Sequence, residues 1–206
     1  SRIYLCRVSV TGGAVTGFIS YTSPLLNSTQ TSKDLWDGLG AIRVEGANVE
    51  PVSGLQLALT SGRIILLGAG ISNPMAPNDV NVSAASPATF RMVTRNGVVP
   101  SDVTLLPVGD YDLSGVVTAI PGASTRVSVF TVYLFGSSNL RVAYGQQYYT
   151  TIADAKADLL FRSFVEASGF DNAAKLGWII AQKGATDLTS TSEAVFVRAN
   201  KFGGLG

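Results

Sequence analysis

Side chains able to do chemistry are few in this chain. The sequence contains no histidine and one cysteine, Cys6. Histidine is the commonest metal ligand and the usual base beside a nucleophilic serine or cysteine. Its absence excludes Ser-His and Cys-His nucleophiles and His-based zinc sites. A serine–lysine pair stays open, although no spacing singles one out. We therefore expect a protein without catalysis, cofactor or bound metal.

Acidic residues offer two weak kinds of site. Residues 110–112 (Asp-Tyr-Asp) and 78–79 (Asn-Asp) could supply oxygen ligands to a hard cation, but the spacing of a calcium-binding loop is absent. We expect turns at both places. A glycan hydrolase needs two carboxylates about 5 to 9 Å apart. Candidates exist, without a spacing that selects one pair, among Asp34, Asp37, Glu45 and Glu50.

Aromatic side chains give a third candidate site. Tyr148 and Tyr149 follow Gln146 and Gln147, and Trp36 lies in a predicted loop. Aromatic faces stack on the C–H faces of sugars, and amide side chains bond to hydroxyl groups. Trp36, Tyr148 and Tyr149 are therefore candidates for contacting a host receptor glycan. The alternative, which we favour for the tyrosines, is a packed seam that joins a β-rich region to a helix.

The elements that must position these residues are mostly strands. Short β-branched and aromatic runs, separated by Gly, Pro and Asn turns, fill residues 2–144. The Gly-Gly pair at 12–13 predicts an early hairpin. The run at 127–135 is apolar on both faces, which predicts a central strand covered on both sides. We predict a mainly β fold with a jelly-roll-like β-sandwich domain over residues 1–144.

The pattern changes after Tyr149. Thr151 and Asp154 have the spacing of a helix capping box, and apolar residues then recur at the helical positions 153, 157, 160, 161 and 164. This pattern predicts a helix over about 151–168, a short helix over about 171–176 and then two short strands. Residues 145–206 are thus predicted to form a small α+β module.

The composition limits the partners. Charged residues make up 14% of the chain, below the roughly 25% typical of soluble domains. The formal net charge of +1 provides no basic field for nucleic acid. No apolar run approaches the roughly 18 to 20 residues that a membrane-spanning helix needs. We infer that the missing charge reflects surface buried between subunits of a homo-oligomer.

Several short motifs occur in a characteristic order: YGQQYY at 144–149, LGWII at 176–180, KGATDL at 183–188, AVF at 194–196 and KFG at 201–203. This order resembles a segment of tailed-bacteriophage virion proteins of the tail-fibre, baseplate and appendage type. LWDG at 35–38 and NPMAP at 73–77 are similar to the β-rich part of the same proteins. The ends of the chain are those expected of a domain from a longer polypeptide.

The resemblance implies a structural virion protein without catalysis, often trimeric, built from β-sandwich or jelly-roll modules. Its expected partners are copies of itself and other virion proteins, and its expected location is the virion. A host-receptor glycan-binding module is the alternative function, and a capsid decoration protein is a second alternative. An acid-pair glycan hydrolase is the least favoured. The virion station, the host and the receptor stay open at this point.

Overall fold

The computed structural model describes residues 6–20, 40–66, 75–76, 78–170, 173–201 and 203–204. The protein is mainly β, with 48% strand and 4% helix, which confirms the predicted fold class. The chain divides into two compact units, Ser1–Leu39 and Gly40–Gly206.

The first unit contains one described hairpin. Strands β1 (Cys6–Thr11) and β2 (Ala14–Ser20) pair antiparallel. Gly12 and Gly13 connect them with φ angles of 60° and 82°. Two successive residues with positive φ match the twist of a two-residue hairpin turn, and glycine adopts this conformation without steric cost. The predicted early hairpin is confirmed.

The second unit contains all the other described elements. In chain order they are β3 (Ile42–Gly46), β4 (Val49–Pro51), β5 (Leu57–Leu59), β6 (Gly62–Ile65), β7 (Asp79–Val82), β8 (Phe90–Thr94), β9 (Gly97–Val103), β10 (Asp110–Leu113), β11 (Val116–Ala119), β12 (Val127–Leu134), β13 (Leu140–Ala143), β14 (Tyr148–Tyr149), α1 (Ile152–Asp158), β15 (Ala174–Gln182) and β16 (Ala194–Arg198).

Seven of these strands form one sheet. Its order is β16-β15-β12-β13-β8-β9, with β14 also paired to β12, and β13 and β8 run parallel. A three-stranded sheet (β3-β6-β7) and two two-stranded sheets (β4-β5 and β10-β11) complete the unit. The main apolar core combines residues of the large sheet with residues of β5, β6 and β7. Packing of sheet on sheet is typical of a β-sandwich. Jelly-roll connectivity stays a prediction.

Strand β12 is the centre of the large sheet, and all eight of its residues are buried. Phe130, Val132 and Leu134 pack in the main core, whereas Val127 and Val129 pack on the opposite face against α1. Successive side chains of a strand point to opposite faces, so an apolar run on both faces requires cover on both faces. The predicted central strand is confirmed.

The predicted helices need correction. The capping box is present, because the Thr151 side chain accepts the N–H of Asp154 and the Asp154 side chain accepts the N–H of Thr151. The helix nevertheless ends at Asp158, and residues 162–167 have no regular structure. The short helix predicted at 171–176 is wrong, since residues 174–176 begin β15. In both places tertiary contacts with the sheet override local helical spacing.

The division of the chain also differs from the predicted boundary at Tyr144. Along the chain, the boundary between the two units falls between Leu39 and Gly40. Strands β15 and β16, from the predicted α+β module, extend the sheet built on β12. Residues on both sides of Tyr144 therefore belong to one compact unit. Its one described helix, α1, has seven residues, and no described helix has the length and apolar character for crossing a membrane.

Candidate functional site

The tyrosine segment behaves mostly as the seam that we favoured. Tyr144 is buried, and Tyr149 packs against the apolar cluster between β12 and α1. The Tyr149 hydroxyl donates to the Asp158 carboxylate at 2.7 Å. Burial raises the pKa of Tyr144 to about 12 and also raises the pKa of Tyr149. Tyr149 therefore joins the helix to the sheet and presents little free surface to a ligand.

Tyr148 is different, because 39% of its surface is exposed. The Tyr111 ring meets it edge to face at a centroid distance of 5.4 Å. The Arg126 guanidinium lies 4.9 Å from the ring centroid. Arg126 also donates to the carbonyl of Pro121 at 2.8 Å. Tyr148 is thus held in one orientation with part of its ring open. The third candidate, Trp36, lies outside the described residues.

The acidic candidates are occupied by structural partners. The buried Asp112 carboxylate accepts the N–H groups of Arg95 and Gly115 and lies 3.5 Å from the Arg95 guanidinium. It therefore fastens the turn at residues 114–115, which follows β10. The turn predicted at residues 110–112 is wrong, since these residues lie in β10. Asp79 pairs with Arg63 at 3.1 Å.

The two described hydrolase candidates each face an arginine. Glu45 faces Arg63 at 3.7 Å, and Glu50 faces Arg198 at 3.0 Å. Asp34 and Asp37 lie outside the described residues. Within the described ranges, no group of three or more His, Cys, Asp or Glu side chains could hold a metal ion.

The more informative site is the segment of residues 159–170, which we call the strap. It follows α1 and crosses the large sheet on the face opposite the main core. Arg162 reaches down to the sheet, where it donates to the buried hydroxyl of Thr131 at 2.9 Å and to the carbonyl of Val129 at 3.5 Å. Its guanidinium also lies 5.0 Å from the centroid of the Phe164 ring. Arg162 therefore pins the middle of the strap.

A second polar contact pins the strap four residues later. The Glu166 carboxylate accepts the hydroxyl of the buried Tyr133 at 2.9 Å and pairs with Lys175 at 2.7 Å. Gln146 exchanges two hydrogen bonds with the backbone of Val165, at 2.9 and 2.6 Å. The strap is thus bonded to β12, to β15 and to the tyrosine segment.

The pKa shifts of Arg162 and Tyr133 are those of groups shielded from water by the strap. Burial lowers the pKa of the Arg162 guanidinium below its usual value. Burial raises the pKa of Tyr133 far above its usual range, and the neighbouring Glu166 carboxylate adds a smaller rise. Hydrogen bonds to ionised groups are stronger than neutral ones. The charged residues of the strap therefore act as anchors to the sheet.

The outer side of the strap is apolar. Leu160, Phe161 and Val165 are 70%, 83% and 53% exposed. A segment that faces water normally buries its apolar side chains and exposes its charges. Here Arg162 is bonded underneath and the partly exposed Glu166 is bonded to Tyr133 and Lys175, while Leu160, Phe161 and Val165 point outward. An exposed apolar patch on a pinned segment is typical of a contact surface.

The β10-β11 hairpin shows a second uncharged surface. Leu113, Val116 and Val117 are 51%, 64% and 39% exposed. Ser114 and Gly115 form the turn with φ angles of 54° and 94°. Residues 113–125 contain no charged side chain. The buried Asp112, bonded to the N–H of Gly115, fixes the shape of this hairpin.

The strap was not predicted, because the apolar spacing of positions 160, 161 and 164 is typical of one helix face. Only Phe164 packs against buried apolar residues, whereas Leu160 and Phe161 are exposed. A usable signal was present in Asp158, Arg162 and Glu166, charged residues spaced four apart beside these apolar ones.

The comparisons with known proteins add no relative. No family model, no curated protein and no solved structure matches the chain.

Arg162→Met tests whether the strap is pinned from below. The variant keeps an apolar stem but leaves the buried Thr131 hydroxyl without this donor, so we expect the free energy of unfolding to fall by about 1–3 kcal/mol. Amide hydrogen exchange should also become faster in residues 159–170. The control is Arg198→Met, which breaks an exposed ion pair with Glu50 worth less than about 1 kcal/mol. Equal effects of the two substitutions would contradict the pinned strap.

Proposed function

We propose that this chain is a structural component of a tailed-phage virion, of the tail-fibre, baseplate or appendage type, and that it assembles with copies of itself through apolar, uncharged surface. The observation that carries the proposal is the outward display of Leu160, Phe161 and Val165 on the strap. The motif order from Tyr144 onward supports the virion assignment. The low charged fraction, 14%, supports extensive contact between subunits.

The strap suits a rigid contact between subunits. Its anchors hold the outer side chains in place before assembly, so little conformational entropy remains to be lost on binding. An aromatic side chain buries about 150–250 Å². At about 25 cal/mol per Å², burial of the Phe161 ring is worth several kcal/mol as an upper bound. Closed symmetry repeats such a contact in each copy, and the trimer implied by the resemblance would contain three.

The double variant Leu160→Ser, Phe161→Ser tests the strap contact. We expect the unaltered chain to have a mass above that of its 21.5 kDa monomer at micromolar concentration. The variant should raise the dissociation constant by about 100-fold or more, because it removes most of the apolar contact area. Sedimentation equilibrium measures both. Ser163→Asn, at an exposed position of the same strap, is the matched control. A clean monomer of the unaltered chain would refute the proposal of self-assembly.

Mass spectrometry of purified particles tests the virion assignment. We expect tryptic peptides of this chain in gradient-purified phage particles from a culture that carries its gene, in a fixed ratio to the major tail proteins. Antibody labelling in electron micrographs then separates a tail position from capsid decoration. Recovery of the chain only in the particle-free fraction would contradict the assignment.

A second candidate function is binding of a host glycan at Tyr148, favoured by its partly open ring and the adjacent Arg126. Sugars stack on such rings and accept hydrogen bonds from guanidinium groups. If this function exists, Tyr148→Ala weakens retention on a panel of host polysaccharides at least tenfold, and Tyr149→Phe does not. Absence of retention by the intact assembly would leave the architectural role alone.

A further inference from the structure

Among the described residues, nothing pairs with the outer edge of strand β11. Its inner edge pairs with β10, in the register Leu113↔Val116, Asp112↔Val117, Tyr111↔Thr118 and Asp110↔Ala119. The N–H groups of Asp112 and Asp110 point away from β11, since they donate to the carbonyls of Gly145 and Pro107. Opposite residues in an antiparallel ladder alternate between bonded and non-bonded pairs. The backbone groups of Val117 and Ala119 therefore point outward.

This edge lacks the features that normally protect an edge. Sheet edges are usually blunted by charges, proline or bulges, because an exposed row of N–H and C=O groups pairs with other strands. Among the described edge strands of three or more residues in the second unit, β11 (VVTA) and β5 (LAL) have no charged residue, whereas each of the others carries at least one: β3, β4, β7, β9, β10 and β16. The second edge of β5 is covered by bonds to Ala85 and Ala88.

The chemistry of the edge specifies its occupant as an extended, uncharged strand. We propose that β11 pairs antiparallel with β11 of a second copy of this chain. Two copies of this edge can pair without repulsion between like charges, because residues 113–125 contain no charged side chain. It also covers side chains that are exposed in the single chain, Val116 and Val117. The inference rests on the proposed self-assembly and identifies one of its contacts.

The register that lets both outward residues of β11 form backbone bonds pairs Val117 of one copy with Ala119 of the other, and the reciprocal pair forms by symmetry. Thr118 then lies opposite Thr118 of the second copy in a non-bonded pair, on the twofold axis. Such a contact is isologous and joins copies in pairs. It adds to the strap contact and does not by itself generate the three-copy state implied by the resemblance.

A disulfide across the axis tests this register. Residues opposite each other in a non-bonded antiparallel pair have Cα atoms about 4.5 Å apart, within the range that a disulfide spans. In a Cys6→Ser background of the full chain, Thr118→Cys should give mostly covalent dimer after mild oxidation with diamide. The matched control is Ala119→Cys, whose two copies would lie more than about 7 Å apart, and it should remain mostly monomeric on a non-reducing gel.

Three outcomes separate this inference from the proposed function. Cross-linking of Thr118→Cys but not of Ala119→Cys, abolished by adding Val117→Lys, supports the paired edge. Self-association by sedimentation without selective cross-linking overturns the edge contact and leaves strap-mediated assembly intact. A monomeric unaltered chain overturns both. Thermal unfolding of the reduced variants verifies that each retains the fold.

Discussion

The arrangement of the strap depends on one buried hydrogen bond, from the Arg162 guanidinium to the hydroxyl of Thr131 in the centre of the large sheet. A guanidinium cannot lose its charge in a protein, so burial obliges it to find acceptors. Thr131 and the carbonyl of Val129 supply them. With the charge held underneath, Leu160 and Phe161 are left facing outward.

The two uncharged surfaces are held by the same physical device. Beneath the strap, Arg162 and Glu166 bond to the sheet, and beneath the hairpin, buried Asp112 bonds to backbone N–H groups. Partial burial of an ionised group is tolerated when its hydrogen bonds are made. Arg162, Glu166 and Asp112 thus serve as anchors, and exposed apolar area lies beside them. A surface of this kind is suited to contact with other subunits, which is the role that we propose.

Periodicity predicted the fold well where side-chain alternation decides the structure. The run at 127–135 and the glycine pair at 12–13 led to the central strand and the early hairpin, because pleat geometry and positive φ are local properties. Residues 159–170 could not be predicted in this way. Their apolar spacing is helical, but in the structure the chain leaves the helix after Asp158, and Arg162 and Glu166 bond to distant partners, Thr131 and Tyr133.

Only part of the candidate site could be predicted from the sequence, and the reason is similar. Tyr149 was correctly expected in a seam, since aromatic residues beside a capped helix usually pack on it. The outward display of Phe161 depends on contacts between elements far apart in the chain, which composition reveals only as a shortage of charge. The contact between copies that we propose would likewise be visible in the sequence only through that shortage.

Hydroxyl-radical footprinting of Phe161 as a function of protein concentration tests the central claim most directly. If the strap is a subunit contact, the oxidation rate of Phe161 falls severalfold between nanomolar and micromolar protein, while that of the exposed Tyr148 changes little. An oxidation rate of Phe161 that stays high and constant over the whole range would show that the strap faces water at every concentration, and would contradict the account.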